Sequence, residues 1–466
     1  MTQSVQWIEG SVSKSPARQS TRRLSSLRLL LRYPIFLLAF GPPIFRSNKA
    51  LAGFDTSQAH ADIWSVIQVG WIFALALRAI IRLGTSDSIR IPKEVRNVLR
   101  LGGFIGILYL ISIGYSPGRA VSAEFTLLYF LTLICVTEFV VDVYSDPPNW
   151  IQCLLLLRSI SFIAILIILA ALAIDPTLVM SVVPEQGIRL LGGPVGNTAL
   201  LGSMMAIISA YTFLHSLESR TRATIFFLIG LAATLITQWR GGEIALFLSL
   251  GILVVQWARL KKRSAQIFVA GLMAFILLAG GVVIAVGGEK IWKVFNRGQD
   301  VADVASASGR TEMWTYAFSY CVRNPWGMGY VAGFRYYFTR SFNLAYSADV
   351  THLGNCHNAF VQVLADAGWV ALLLYLMMNA GIVSLGWRFA KKHAPVFTAF
   401  DVEIRHVLRC ALLLLLYCFI DGLDMADFDI PLRQPFYFQF IVVAIILGAA
   451  TNMIIITRSR NASQAR

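Results

Sequence analysis

The chain has 466 residues, of which 57% are hydrophobic and only 14% are charged. Soluble domains carry about 25% charged residues, so the composition excludes an ordinary soluble protein and predicts a polytopic membrane protein. The formal net charge of +15 would suit a nucleic-acid-binding protein. However, the basic residues cluster in short segments between apolar runs, which is the positive-inside pattern of membrane proteins.

Residues 1–28 are polar and basic, without the small-residue cleavage site of a signal peptide, and predict a disordered cytoplasmic tail. Recurring apolar runs then predict about twelve membrane-spanning helices. These runs lie near residues 29–45, 62–83, 99–115, 122–144, 154–175, 197–216, 223–239, 242–258, 267–287, 358–387, 406–423 and 437–457.

The predicted fold is therefore an all-α polytopic membrane protein. About nine helices form a transmembrane bundle over residues 29–288, and about three more follow over residues 358–457. Between the ninth and tenth helices, residues 289–357 form a large, partly helical loop lobe, and residues 458–466 form a second tail.

The distribution of basic residues predicts the orientation of the bundle. With the N-terminus in the cytoplasm, five of the six internal segments contain basic clusters, and an even helix count returns the C-terminus to the same side. Four segments then lie on the extracytoplasmic side of the membrane, namely residues 175–194, 238–242, 289–357 and 421–433. Outer loops are normally poor in arginine, so the arginines in these segments require an explanation.

Two outer arginines are candidates for binding an anion. Arg240 lies between two apolar runs, and Gly241 and Gly242 allow another group to approach the backbone closely. Arg310 opens an amphipathic helix with Ser308 as a candidate N-cap, where the helix dipole adds to its charge. The structural alternative is that both are surface arginines extending to the lipid headgroups.

His357 begins the helix that returns to the membrane, and histidine titrates near neutral pH, so it is a candidate general base. A helix-capping role is the alternative. At helical spacing Asn358, Gln362 and Asp366 share one face, and polar groups at this depth must face the protein interior. This polar stripe is interpreted mainly as structural, holding the helix that carries His357.

Two further groups of residues leave alternatives open. Asp421, Asp424, Asp427 and Asp429 form an acidic turn that would suit a divalent cation or a sugar, but a solvated turn paired to Arg433 is favoured. The six scattered cysteines lack metal-site spacing and are interpreted as small buried hydrophobes, with a Cys321–Cys356 disulfide as the less favoured alternative.

Three ordered motifs carry a resemblance to a known family. They are Trp239-Arg240-Gly241-Gly242, then Ser308-Gly309-Arg310 with Asn324-Pro325-Trp326-Gly327-Met328-Gly329, and finally His357-Asn358-Ala359-Phe360 with Asp366-Ala367-Gly368. Together they resemble the O-antigen ligase and polysaccharide (exopolysaccharide) polymerase family over roughly residues 185–385. A segment with Arg189 and Asn197 is also similar to that family.

The resemblance implies a membrane glycosyltransferase with a GT-C-like architecture. It would move a glycan from undecaprenyl diphosphate to an acceptor hydroxyl at the outer face of the bacterial inner membrane. Arg240 and Arg310 would hold the diphosphate, and His357 would activate or orient the acceptor. Arg189, Asn197, Asn358 and Asp366 would contact acceptor or sugar, or serve a structural role. The acceptor would be a growing polysaccharide or lipid A–core, other polysaccharide-assembly proteins would be partners, and neither cofactor nor metal would be needed.

A transporter or flippase of lipid-linked oligosaccharide is the competing hypothesis, because transporters also often have about twelve membrane-spanning helices. The chain shows no internal repeat, and its candidate residues collect at one predicted face. Both features favour the enzyme over the transporter.

Overall fold

The computed structural model describes most of the helical part of the chain. The described residues are 26–40, 63–85, 91–176, 179–183, 187–190, 197–237, 239–259, 310–341, 356–391, 398–425, 431 and 434–464. Several predicted features lie outside these residues. They are residues 1–25 of the predicted N-terminal tail, the predicted span at 267–287, Ser308, Asp427, Asp429 and Arg433.

The described elements, in chain order, are helices with one short hairpin. They are α1 (Ser26–Arg32), a 3₁₀ helix (Pro34–Phe40), α2 (Ile63–Gly84), α3 (Lys93–Ser112), α4 (Arg119–Ser145), α5 (Trp150–Ile174), β1 (Met180–Val183), β2 (Gly187–Leu190), α6 (Thr198–Leu214), α7 (Arg220–Ile236), α8 (Arg240–Arg259), α9 (Arg310–Arg323), α10 (Ala332–Ser341), α11 (Ala359–Ala390), α12 (Ala399–Gly422) and α13 (Gln434–Gln464).

Six helices within the described residues are long and apolar enough to cross a membrane, namely α3, α4, α5, α8, α11 and most of α13. The chain is therefore a helical membrane protein. Within the described residues this is fewer than the twelve predicted, and the predicted span at 267–287 lies outside them. The first predicted span, at 29–45, contains only the short α1 and the 3₁₀ helix within the described residues. Helices α6 and α7 have 17 residues each, so both are short for a span.

The all-α class is confirmed for the described residues, with one short hairpin in the loop after α5. There, β1 and β2 pair antiparallel, with Met180 opposite Leu190 and Val183 opposite Gly187. A connection that leaves the helical bundle must still pair its backbone N–H and C=O groups, and a hairpin does so locally.

Helix α13 occupies the centre of the bundle, because 83% of its apolar stretch is buried, against 33% for α8. Polar side chains join it to its neighbours: Trp150 Nε1 donates to Asn452 Oδ1 at 3.0 Å, and Asn452 Nδ2 donates to the Val143 carbonyl at 2.7 Å. Interhelical hydrogen bonds of this kind stabilise helix packing where the hydrophobic effect between helices is weak.

Helices α9 and α10 form a small lobe against the start of α11. A separate apolar cluster holds it together, made of Met313, Ala317, Met328, Phe334, Phe338, Cys356, Val361 and Ala365. Cys321 and Cys356 are both buried here as free thiols. The disulfide considered between them is not formed, and the interpretation as small buried hydrophobes fits their surroundings.

Candidate functional site

The lobe is fixed to the bundle by a break in α11. Gly368 has φ 80° and ψ −172°, which interrupts the helix. In a continuous helix the Trp369 N–H would bond to the Ala365 carbonyl. Instead, Trp369 N donates to the Pro325 carbonyl at 3.1 Å, and the Ala365 carbonyl accepts from Met328 N at 2.6 Å. The Trp369 N–H and the Ala365 carbonyl are therefore both paired with the loop of residues 324–329.

The glycines of residues 324–329 permit this exchange. Gly329 N donates to the Asp366 carbonyl at 3.0 Å, and both Gly327 (φ 87°) and Gly329 (φ 110°) adopt the left-handed region that glycine tolerates best. A Cβ on Gly327 would lie 2.7 Å from Gly368 N. The two glycine-containing motifs, 324–329 and 366–368, therefore pack closely against each other and fix α9 relative to α11.

Substituting Gly368→Ala is expected to destabilise the protein strongly. A Cβ at this position would overlap the Pro325 carbonyl oxygen, and the positive φ adds about 1–3 kcal/mol of backbone strain. Thermal unfolding in detergent would show a lower midpoint. Gly251→Ala is the matched control, because a Cβ there has no heavy atom within 4 Å. An equal midpoint for wild type and Gly368→Ala would contradict the proposed locking of the break.

Helix α9 presents Arg310 to the end of α12. The helix begins at Arg310 and ends at Arg323, just before Asn324-Pro325, as the sequence predicts. Arg310 Nη1 forms an ion pair with Asp424 Oδ1, and both side chains are 26% exposed. Asp424 is positioned by its own backbone, since its N–H donates to the Asp421 carbonyl at 2.9 Å.

The glycines that follow Arg240 bring the start of α8 against the same carboxylate group. A Cβ on Gly241 would lie 2.5 Å from Asp424 Oδ2, so only glycine allows this approach. A Cβ on Gly242 would lie 3.2 Å from the Tyr417 hydroxyl oxygen. The two glycines after Arg240 thus permit the close contact that the sequence indicated, and the approaching groups come from α12.

The two guanidinium groups are close enough to influence each other. Burial, followed by repulsion from Arg240, lowers the pKa of Arg310. Arg240 Nη2 is buried and has no hydrogen-bond partner among the described residues. A buried cationic donor without a partner is costly, so this pair of arginines is suited to binding an anion.

His357 lies at the start of α11 with φ 46°, in the left-handed region. The next residue, Asn358, is the N-cap: its Oδ1 accepts from Phe360 N and Val361 N, both at 3.0 Å. Asn358 Nδ2 also donates to the Leu423 carbonyl at 3.1 Å. Leu423 directly precedes Asp424, so this bond ties the His357 segment to the turn that pairs with Arg310.

The remaining predicted candidates are placed as follows. Asn197 is the N-cap of α6, and its backbone N–H donates to Gln434 Oε1 at 2.8 Å. Its Nδ2 lies 3.8 Å from Met425 Sδ, beside the same α12 turn. Arg189 lies on β2, opposite Ser181. Asp366 is fully buried and accepts from Gln362 Nε2 at 2.9 Å.

These contacts fit a structural role for Asn197, Asn358 and Asp366. Asn197 and Asn358 satisfy helix N-termini. Gln362 joins the polar stripe to the loop, since its Oε1 accepts from Cys356 N at 2.9 Å and its Nε2 reaches Asp366. Asn358 is the N-cap of the helix that begins at Ala359, and its carbonyl accepts from Gln362 N at 2.9 Å, in helical register with the rest of the stripe.

Asp424 is the residue whose importance the sequence interpretation missed. The favoured interpretation was a solvated turn paired to Arg433, whereas Asp424 pairs with Arg310. The available signal was that the acidic turn and both arginines were predicted on the same side of the membrane. Among the described residues, no group of three or more His, Cys, Asp or Glu side chains could hold a metal ion.

The fold and the site together define a helical membrane protein with two arginines, a carboxylate and a histidine segment joined at one end of its bundle. A family model described as O-antigen ligase matches residues 225–376, a stretch that contains Arg240, Arg310 and His357. This match confirms the resemblance to O-antigen ligases and supports a glycan-transferring membrane function for this part of the chain. No curated protein shows significant similarity to the chain.

Proposed function

We propose that the protein is a glycosyltransferase of the O-antigen ligase or polymerase type in the bacterial inner membrane. It transfers a glycan from undecaprenyl diphosphate to an acceptor hydroxyl at the extracytoplasmic face. The acceptor is a growing polysaccharide or lipid A–core. The proposal includes the topology of about twelve spans, the outer lobe between the ninth and tenth, and two cytoplasmic termini.

The observation that carries the proposal is the pair of neighbouring arginines, of which Arg310 is held by a carboxylate. Arg310 pairs with Asp424, Gly241 lies against the same carboxylate, and Arg240 Nη2 is buried without a hydrogen-bond partner among the described side chains. A guanidinium has five N–H donors, so Arg310 can bind Asp424 and still donate to a phosphate. Two permanently charged forks suit the two phosphates of a diphosphate.

The chemical step follows from this arrangement. The acceptor oxygen forms a bond to the anomeric carbon while the bond from that carbon to the diphosphate oxygen breaks, and an in-line displacement inverts the anomeric centre. The electron pair leaves with the diphosphate. Arg240 and Arg310 stabilise the negative charge that develops there, which is the interaction that most lowers such barriers.

His357 is assigned to the acceptor. The hydroxyl proton must leave as the new bond forms, and an imidazole held in the same region can accept it. The Asn358–Leu423 hydrogen bond supports this role because it holds the His357 segment beside the turn of Asp424. Asp424 is assigned as a positioning residue that holds the Arg310 guanidinium.

Arg240, Arg310 and Asp424 are assigned to binding the donor, which a ligase and a polymerase have in common. A ligase requires a docking surface for lipid A–core, whereas a polymerase requires a second site for a polyprenyl-linked glycan. Both reactions release free undecaprenyl diphosphate.

A reconstituted transfer assay tests the proposed reaction. Purified protein in liposomes, supplied with an undecaprenyl-diphosphate-linked glycan, is expected to release one undecaprenyl diphosphate for each new glycosidic bond. A product on lipid A–core would identify a ligase, and a product on a second lipid-linked glycan would identify a polymerase. Movement of intact donor across the bilayer, without a covalent product, would contradict the proposal in favour of a transporter.

A further inference from the structure

A polar cavity lies at the opposite end of the bundle from Arg240. It has a volume of about 510 Å³ and lies between the first turns of α5, the α6–α7 connection and the first turns of α7. The Arg240 turn follows the other end of α7, about 20 Å away along that helix. The volume is within the range of small-molecule sites, about 300–1,000 Å³.

A buried arginine is the central feature of this cavity. The Arg158 side chain is only 2% exposed, and it pairs with Glu218, with Nη2 donating to Oε2 at 2.9 Å. Its guanidinium lies 4.2 Å from the centroid of the Phe226 ring. These contacts fix the group but do not satisfy it, because Arg158 Nε is buried without a hydrogen-bond partner in the described part of the chain.

The charges around the cavity favour an anion. Arg158, Arg222 and Glu218 are the charged groups that line it, which leaves one positive charge. Glu218 is already engaged, since it also accepts from Thr212 Oγ1 at 2.7 Å. Burial alone would raise the pKa of Glu218, but hydrogen bonds from Arg158 and Thr212 hold it below its usual value. Glu218 therefore stays ionised as the counter-ion of Arg158.

The N-terminus of α7 adds a further attraction. Ser219 is the N-cap, lines the cavity, and makes no side-chain capping bond. The positive end of a helix dipole stabilises anions within its first turn. Arg222 lies in that turn and is exposed at the edge of the cavity.

The rest of the lining is apolar or accepts hydrogen bonds. Leu29, Leu155 and Phe226 provide apolar surface. Gln152 Oε1 is a buried acceptor without a partner among the described residues. Arg158 lies eight residues into a helix that is long and apolar enough to cross a membrane, about 12 Å from its start. A ligand that fits must combine an anion, a hydroxyl donor and hydrocarbon.

We propose that this cavity binds an anionic phospholipid with a hydroxylated headgroup. Its phosphate accepts from Arg158 Nε and Arg222, a headgroup hydroxyl donates to Gln152 Oε1, and its acyl chains lie along Leu155 and Phe226. The site is separate from the proposed glycan-transfer site and does not depend on that assignment.

Native mass spectrometry of the full-length protein tests this site. Protein exchanged into detergent is titrated with phosphatidylglycerol, phosphatidylethanolamine, phosphatidylcholine and, in a separate arm, inorganic phosphate. Phosphatidylglycerol is expected to bind at least about tenfold more tightly than the other two lipids, since it alone combines a net negative charge with a headgroup hydroxyl. Equal binding of all three lipids, or binding of inorganic phosphate alone, would overturn the proposal.

Three variants make the assignment specific. Arg222→Gln is expected to weaken phosphatidylglycerol binding about tenfold, and Leu155→Trp is expected to abolish it by filling the cavity. Arg220→Gln is the matched control, because Arg220 is an exposed neighbour that contacts the Phe213 ring and does not line the cavity. Wild-type affinity in both Arg222→Gln and Leu155→Trp would place the lipid elsewhere and refute the site.

Discussion

Arg310→Lys is expected to reduce glycan transfer by at least about 100-fold, the typical effect of removing one donor to a developing negative charge. Lysine keeps the positive charge and can still pair with Asp424. It lacks the planar fork with which arginine binds a carboxylate and a phosphate at the same time. The loss should therefore appear in kcat/KM for the donor, measured with the reconstituted protein, while the midpoint of thermal unfolding stays near that of the wild type.

Arg323→Lys provides the matched control for this substitution. It lies in the last turn of the same helix, α9, and is exposed to solvent. Its transfer rate should remain within about twofold of wild type, as for ordinary surface substitutions. Near-normal transfer by Arg310→Lys would contradict diphosphate binding through the guanidinium fork.

His357→Asn is expected to lower transfer by about 10²–10⁴-fold, the usual contribution of a general base. The choice of asparagine follows from the backbone. His357 has φ 46°, and asparagine is among the few residues that tolerate this region, whereas alanine would add strain. The loss measured with His357→Asn would then reflect the missing imidazole and not a disturbed start of α11.

His215→Asn is a suitable control for the histidine substitution. His215 follows α6 at the end of the bundle remote from Arg240, with an ordinary φ of −98°. Its transfer rate should match that of wild type, and both variants should unfold near the wild-type midpoint. Unimpaired transfer by His357→Asn would remove the assignment of His357 as the base.

Local features of the site could be predicted from the sequence because they depend on neighbouring residues. Proline disfavours helix in the residue before it, so Asn324-Pro325 marks the end of α9. The glycines after Arg240 indicated a close backbone approach, which the structure shows against Asp424. Resemblance in three short motifs was enough to find the O-antigen ligase domain.

Features that depend on distant contacts could not be predicted in the same way. Nothing local to Asp424 indicates that it pairs with Arg310, because the packing of α9 against α11 brings Arg310 to the turn after α12. The break at Gly368 lies inside a continuous apolar run, and only the hydrogen bonds from Pro325–Gly329 make it stable. The capping role of Asn358 is likewise visible only once the left-handed conformation of His357 is known.

Binding of the lipid diphosphate itself tests the arginine pair most directly. Purified wild type is expected to bind undecaprenyl diphosphate at least about tenfold more tightly than undecaprenyl monophosphate, because only the diphosphate can engage both guanidinium groups. Arg240→Gln and Arg310→Gln should each lose most of this preference while unfolding near the wild-type midpoint. Equal affinity of wild type and both variants for undecaprenyl diphosphate would contradict the claim that Arg240 and Arg310 together form the donor site.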